Sequence, residues 1–364
     1  MRKLLTTGVL LATAAATTGL AQAQQVVNVY NWSDYIAEDT LANFTATTGI
    51  DANYDVYDSN DTLEARMLAG SSGFDVVVPT GNYLQRQIAA GVYQPLNRDL
   101  LPNWGNMDPQ LMHLAEAFDP GNQYAVIYMW GTTGIGYNVD AVHQRLGDDY
   151  TPHSWDIVFN PELASQFADC GIAMLDDHTE ILPAALRYIG KDPLSTDPAD
   201  LDAAVAMLEQ IRPFVRYFHS SQYISDLANG EICLAVGWSG DVLQASARAD
   251  EAANGVQVGY AIPDEGANLW FDMMAIPADA PHPEAAHAFI NYMMDAQVAA
   301  DNTNYVQYAN ANAASTDLID PEVLGNPAIY PSAAARANFW TLQPHDARTD
   351  RLVTRLWTRL RTGQ

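Results

Sequence analysis

The chain has 364 residues, 44 Asp+Glu against 17 Lys+Arg, a formal charge of −27 and 48% apolar residues. At roughly 100–200 residues per domain this length suggests two domains, and the apolar share is enough for a folded core. The charge excludes nucleic acid and anionic lipid as targets, because both call for a basic surface. A cationic ligand or a saline compartment stays open.

Arg2 and Lys3 precede an apolar stretch from Leu4 to Leu20, and Ala21-Gln22-Ala23 fits the small-x-small cleavage rule. Residues 1–23 are therefore expected to be an export signal, and the mature protein to be periplasmic and soluble. Removing them lowers the charge from −27 to −29 and leaves Lys191 as the sole lysine. No later run reaches the roughly 18 apolar residues of a membrane span.

Val26 to Tyr30 predicts a strand running into Trp32-Ser33-Asp34-Tyr35. A helix over 38–48 follows, stopping at Gly49, then a strand over 50–56 and a helix over 62–69. A short buried strand at 74–78 and a helix over 82–90 complete a β-α-β-α-β-α alternation, which signals a mostly parallel sheet flanked by helices. A strand-like run at 124–128 leads into Gly131-Thr132-Thr133-Gly134-Ile135-Gly136-Tyr137. This segment lacks the Gly-Lys-Ser/Thr ending of a phosphate loop and suits a crossing between two lobes near residue 132. A second α/β region follows, with strands at 171–175 and 232–238 around a helix at 200–211. Two further strands at 256–262 and 269–276 precede a helix over 283–295.

Cys170 and Cys233 are the two cysteines. In an oxidising compartment such a pair is expected to form a disulfide, which the chain-entropy model values at about 4 kcal/mol; two buried thiols are the alternative. The tail from His345 to Arg361 predicts an amphipathic helix, with Leu352, Leu356 and Leu360 on one side and Arg348, Arg351, Arg355 and Arg359 on another. That arginine stripe is expected to pair with the protein's own acidic surface, a partner-docking stripe being the alternative.

The eight histidines make no metal-binding spacing, and there is no Cys-x-x-Cys, Gly-x-Ser-x-Gly or EF-hand pattern. No cofactor or metal is expected, and the chain is not read as an enzyme. What recurs is an aromatic beside a carboxylate near strand ends: Trp32 and Tyr35 with Asp34, Trp238 with Asp241, Trp270 with Asp272. Open α/β sheets bind ligands in the crevice at the carboxyl ends of their strands. Rings and acids together suit an organic cation, at about 0.5–2 kcal/mol per cation–π contact and about 1.5–3 kcal/mol per charge-assisted hydrogen bond.

Val29-Tyr30-Asn31-Trp32-Ser33-Asp34-Tyr35-Ile36 resembles the opening signature of the periplasmic putrescine/spermidine-binding proteins of polyamine ABC importers. The likeness continues through 54–60, 73–79, 133–138, 217–223, 226–230 and 304–313, and is nearest the putrescine branch. It implies a type II periplasmic binding protein fold of two hinge-linked lobes, each a mostly parallel sheet flanked by helices. Lobe 1 is expected over 24–131 and 254–304, and lobe 2 over 132–253 and 305–364. The resemblance implies that Asp34, Glu180, Asp241 and Asp272 take ammonium groups. Trp32, Trp238, Trp270 and Tyr308 would sandwich the methylenes, Ser33, Thr80 and Ser220 would accept hydrogen bonds, and Tyr35 completes the set. A disulfide matching Cys170 to Cys233 is implied as well. Thr80, Trp270 and Asp177 depart from the putrescine pattern. The last two resemble the spermidine branch, so Asp177 is a candidate for a third ammonium, a loop cap being the alternative.

The expected function is capture of a polyamine and delivery to a membrane permease by a monomer. A polyamine-sensing receptor and a secreted amine-metabolising enzyme are the alternatives. The ligand argument rests on a few pocket acids; most of the acidic excess fits a soluble surface in a saline medium.

Overall fold

The computed structural model describes residues 25–363; the expected export signal lies outside them. Strand β1 (Val26–Trp32) pairs in parallel with β2 (Asp51–Tyr57) and β3 (Val76–Val77). Helix Thr40–Thr48 connects the first two and ends where Gly49 takes φ 74° and donates its N–H to the Thr45 carbonyl, a left-handed cap that favours glycine. Helix Asn60–Leu68 connects the next two and is started by Ser59, whose side chain accepts from the Thr62 N–H. β3 is shorter than the 74–78 expected, because the Val78 carbonyl accepts from the Trp32 indole (2.9 Å) and the Tyr57 hydroxyl (2.5 Å) instead of joining the sheet.

β4 (Ala125–Asn138) is one continuous strand that serves both lobes. Beyond it come β5 (Ile172–Met174), β6 (Val215–Phe218), β7 (Leu234–Trp238), β8 (Val258–Ala261), β9 (Leu269–Ala275) and β10 (Ala309–Asn310). Residues 125–132 of β4 pair antiparallel with β9, and residues 133–137 with β7, with β8 on 135–138. The sheet therefore runs β2-β1-β3-β9-β4-β7-β5-β6, with β10 and β8 added on β4. Each lobe keeps a parallel trio from its β-α-β units, and the strands around the crossing add antiparallel pairs. The glycines of 131–136 serve close packing. A Cβ on Gly131 would sit 2.7 Å from the Trp270 ring, and one on Gly134 2.5 Å from the Ala261 carbonyl.

Two cores flank this crossing. Val27, Phe44, Leu63, Met273 and Phe289 belong to the first; Trp155, Phe159, Phe167, Leu208 and Leu234 belong to the second. The lobes divide the chain differently from expectation at two places. β8 extends the lobe 2 half of β4, so 258–261 lies in lobe 2, and the return to lobe 1 falls between β8 and β9. β10 pairs with Met129 and Trp130, and Ile319, Val323 and Ile329 pack in the first core, so these parts of 305–364 lie in lobe 1. The chain then crosses beside Asn268, which bridges Trp340. It ends in helix Ala347–Thr362, whose Val353, Leu356, Trp357 and Leu360 enter the second core. Cys170 and Cys233 form a disulfide, with Cα atoms 5.5 Å apart, tying the starts of neighbouring strands β5 and β7.

Candidate functional site

A narrow cavity lies where strands β1, β7 and β9 meet between the lobes. Eleven of the thirteen residues expected to form a site line it: Trp32, Ser33, Tyr35, Thr80, Glu180, Ser220, Trp238, Asp241, Trp270, Asp272 and Tyr308. Tyr57, Asp58, Asn60, Ser221 and Ile224 complete the lining. No Lys, Arg or His is among them.

The aromatic walls hold one another edge to face. The Trp32 and Trp238 rings lie 5.5 Å apart at 75°, joining the lobes, and Trp270 meets Tyr308 at 5.4 Å and 64°. Gly240 makes room for Tyr308, since a Cβ there would lie 2.4 Å from the ring.

Each of three buried carboxylates is held by neutral donors. Asp272 accepts from the Thr80 hydroxyl (2.6 Å) and the Tyr35 hydroxyl (2.9 Å). Thr80 is itself fixed by Asn60, whose amide donates to its Oγ1 at 2.9 Å and accepts from its N–H at 3.1 Å. Asp241 accepts from the Tyr308 and Tyr223 hydroxyls, each at 2.7 Å. Glu180 accepts from the Thr133 hydroxyl (2.6 Å) and the Asn268 amide (3.0 Å), both on Oε2. Burial raises all three pKa values. Asp272 and Glu180 rise to about 7 and Asp241 to about 6, the hydrogen bonds pulling each part of the way back. Asp241 pushes Asp272 further up, and Asp177 does the same to Glu180.

Two expected residues stand apart from the lining. Asp34, in the left-handed region at φ 55°, is half-exposed and forms an ion pair with Arg248 of helix Ser239–Ala252 at 2.7 Å, across the lobes. Asp177 is buried and caps helix His178–Tyr188, accepting from the Thr179 N–H (2.8 Å) and hydroxyl (2.7 Å). Burial raises its pKa. Thr80 lines the cavity, yet its hydroxyl is engaged by Asp272 and Asn60. The Ser220 hydroxyl accepts from the Asp176 N–H at 3.2 Å.

Sequence reasoning missed the residues that orient the acids. Asn60, Thr133 and Tyr223 lie inside the motifs that carried the resemblance, so a signal was present for them. Asn268 lies outside every motif and is found only through the fold.

The profile of the "Bacterial extracellular solute-binding protein" family matches residues 39–331. The chain is 52% identical over 356 residues to the putrescine-binding periplasmic protein SpuD of Pseudomonas aeruginosa, covering 97% of each. It is 50% identical over 361 residues to the putrescine-binding periplasmic protein PotF of Escherichia coli, covering 99% of this chain and 97% of that one. Among solved structures, a putative spermidine/putrescine ABC transporter from Listeria monocytogenes superposes with a TM-score of 0.83 at 30% identity, over 93% of this chain and all of that one.

Proposed function

The chain belongs to the bacterial extracellular solute-binding proteins, and from that premise we propose that it captures putrescine in the inter-lobe cavity and delivers it to the permease of an ABC importer. Members of this family bind and hand over a solute and are not enzymes. The observation that carries the reading is a cavity with four carboxylates, Asp58, Glu180, Asp241 and Asp272, and no positive side chain. Buried acids without cations are costly unless the partner arrives from outside. An alkyl diamine supplies two cations and an apolar stem, which suits two acidic poles with aromatic rings around them.

In this reading one ammonium meets Asp241 and Asp272 and the other meets Glu180, while Trp32, Trp238, Trp270 and Tyr308 cover the methylenes. Ser33, Ser220 and Asp58 supply further acceptors at the lining. Asp34 acts through its pair with Arg248, holding the lobes together rather than touching ligand. Asp177 strengthens the field at the Glu180 pole from behind, as a helix cap. A dication therefore fits better than a longer trication, and spermidine is expected to bind more weakly. The relatives' printed names, putrescine-binding in two cases at half identity, agree with that preference.

We place the protein in the periplasm, exported by residues 1–23, in line with the relatives named as periplasmic. Among the described residues no helix is long and apolar enough to cross a membrane. Titration of the tryptophan fluorescence with putrescine, spermidine and n-butylamine tests the reading. Saturable one-to-one binding in the order putrescine, spermidine, butylamine is expected. Equal affinity for butylamine and putrescine would remove the second pole from the site.

A further inference from the structure

The positive side chains of this acidic protein are not spread evenly. Five of its arginines lie in the single helix Ala347–Thr362, against one acid there, Asp350. Elsewhere most arginines are engaged, as Arg86 is with Glu64, Arg145 with Asp169, Arg248 with Asp34, and Arg187 with a backbone carbonyl, Arg336 being the exception among the described residues. Within the helix Arg359 pairs with Glu209 at 3.0 Å and Arg361 with Asp176 at 2.9 Å. Pairing with the protein's own acids, expected for the whole stripe, thus holds for Arg359 alone of its four members. The guanidinium groups of Arg348, Arg351 and Arg355 have no ion pair and no hydrogen bond among the described residues. All three are exposed, and they line a shallow groove with Thr196 and Pro198, where helix Pro198–Ile211 begins, and with one acid, Asp346, whose carboxylate is taken up by the Arg348 and Thr349 N–H groups. Their spacing of three and four residues sets them in a row about 10 Å long at 1.5 Å per residue.

Three unpaired arginines are unexpected on a surface where acids outnumber bases by more than two to one. We propose that Arg348, Arg351 and Arg355 form a docking surface for an acidic polypeptide segment and, resting on the transport reading, that this segment belongs to the extracytoplasmic face of the permease. Guanidinium groups in a row match carboxylates along an extended chain, each by paired N–H donors. The helix's apolar face is buried in the second core, so it has none to insert into lipid. The protein's net charge opposes both an anionic membrane and a second copy of itself.

The test uses dye-labelled decaglutamate and fluorescence anisotropy at about 20 mM salt, with the full mature chain and its Arg348→Glu/Arg351→Glu/Arg355→Glu variant. The expected result is saturable binding to the native chain, at least roughly tenfold weaker binding to the variant, and loss of binding in high salt as charge contacts are screened. Putrescine affinity should be the same in both, which confirms the variant's fold and keeps this test separate from that of the cavity. In cells that depend on this protein for putrescine, the variant should lower uptake by about tenfold or more. Absence of peptide binding to the native chain, or equal binding by the variant, overturns the docking surface. So does arginine-dependent binding to phosphatidylglycerol vesicles or arginine-dependent dimerisation in sedimentation. Unchanged uptake overturns the permease assignment.

Discussion

The carboxylates of the cavity and those of the outer surface share one chemistry and differ in what holds them. On the surface Asp169 meets Arg145 at 2.6 Å and Asp200 meets Lys191 at 2.8 Å, and both acids are held below the ordinary carboxylate range by those partners. In the cavity Glu180, Asp241 and Asp272 meet only hydroxyl and amide donors, and burial pushes all three up. Neutral donors aim a carboxylate without satisfying its charge. Asp169 and Asp200 meet their cations within the chain, whereas Glu180, Asp241 and Asp272 have no cationic partner among the described residues, and in the proposed reading the ligand's ammonium groups supply it.

The largest effect should come from removing a cavity acid. Asp272→Asn or Asp241→Asn keeps the shape and deletes the charge, so an ammonium is left unpaired. Putrescine binding should weaken by about 3–5 kcal/mol, measured by calorimetry. The same change relieves a buried charge, so the ligand-free protein should not lose stability at pH 8. A variant that bound normally would take its acid out of the site.

Next comes the wall that positions Asp241. Gly240→Ala places a Cβ in the space of the Tyr308 ring. Shifting Tyr308 disturbs its 2.7 Å bond to Asp241 and should cost about 1–3 kcal/mol in affinity, by the usual scale of overpacking. Unchanged affinity with unchanged thermal stability would mean that the ring is not needed where it stands.

The pH response separates the two sets of acids without mutation. With folded pKa values raised to about 7 for Asp272 and Glu180 and about 6 for Asp241, protons compete with the ligand as pH falls below neutrality. Affinity should drop by roughly tenfold per pH unit, or more, between pH 7 and pH 5. Stability follows the opposite sign. A raised folded pKa contributes stability that is complete below the unfolded value near 4 and is lost as pH rises through 6–7. The ligand-induced rise in Tm should therefore be larger at pH 8 than at pH 5, and a rise independent of pH would contradict the assignment. The smallest effect belongs to the surface: Arg145→Ala should leave putrescine affinity unchanged, and a measurable loss would break the comparison.

How far the sequence carries depends on whether a feature is local. Strand ends carrying Trp32, Trp238 and Trp270 beside acids were legible, because side-chain alternation and turn chemistry are written along the chain. The long strand β4 was legible as a crossing through Gly131 to Gly136, although its continuity was not, since a break and a crossing share the same residue types. The pairing of Asp34 with Arg248 was not legible, and a cap at Asp177 was legible only as an alternative, because those contacts depend on how the lobes meet and where a helix begins. The strand partners of 258–261 and 309–310 were not legible for the same reason, as they lie far away in sequence. Composition alone could not tell cavity acids from surface acids, for both enter the same charge of −27.

The most direct test is calorimetric titration with putrescine at pH 6.5 in two buffers of different ionisation enthalpy. If the buried carboxylates are the receptor for a dication, binding saturates at one putrescine per chain and releases protons, because each arriving ammonium returns an acid to its charged form. Absence of saturable heat, or saturable binding with no proton released, would contradict that claim.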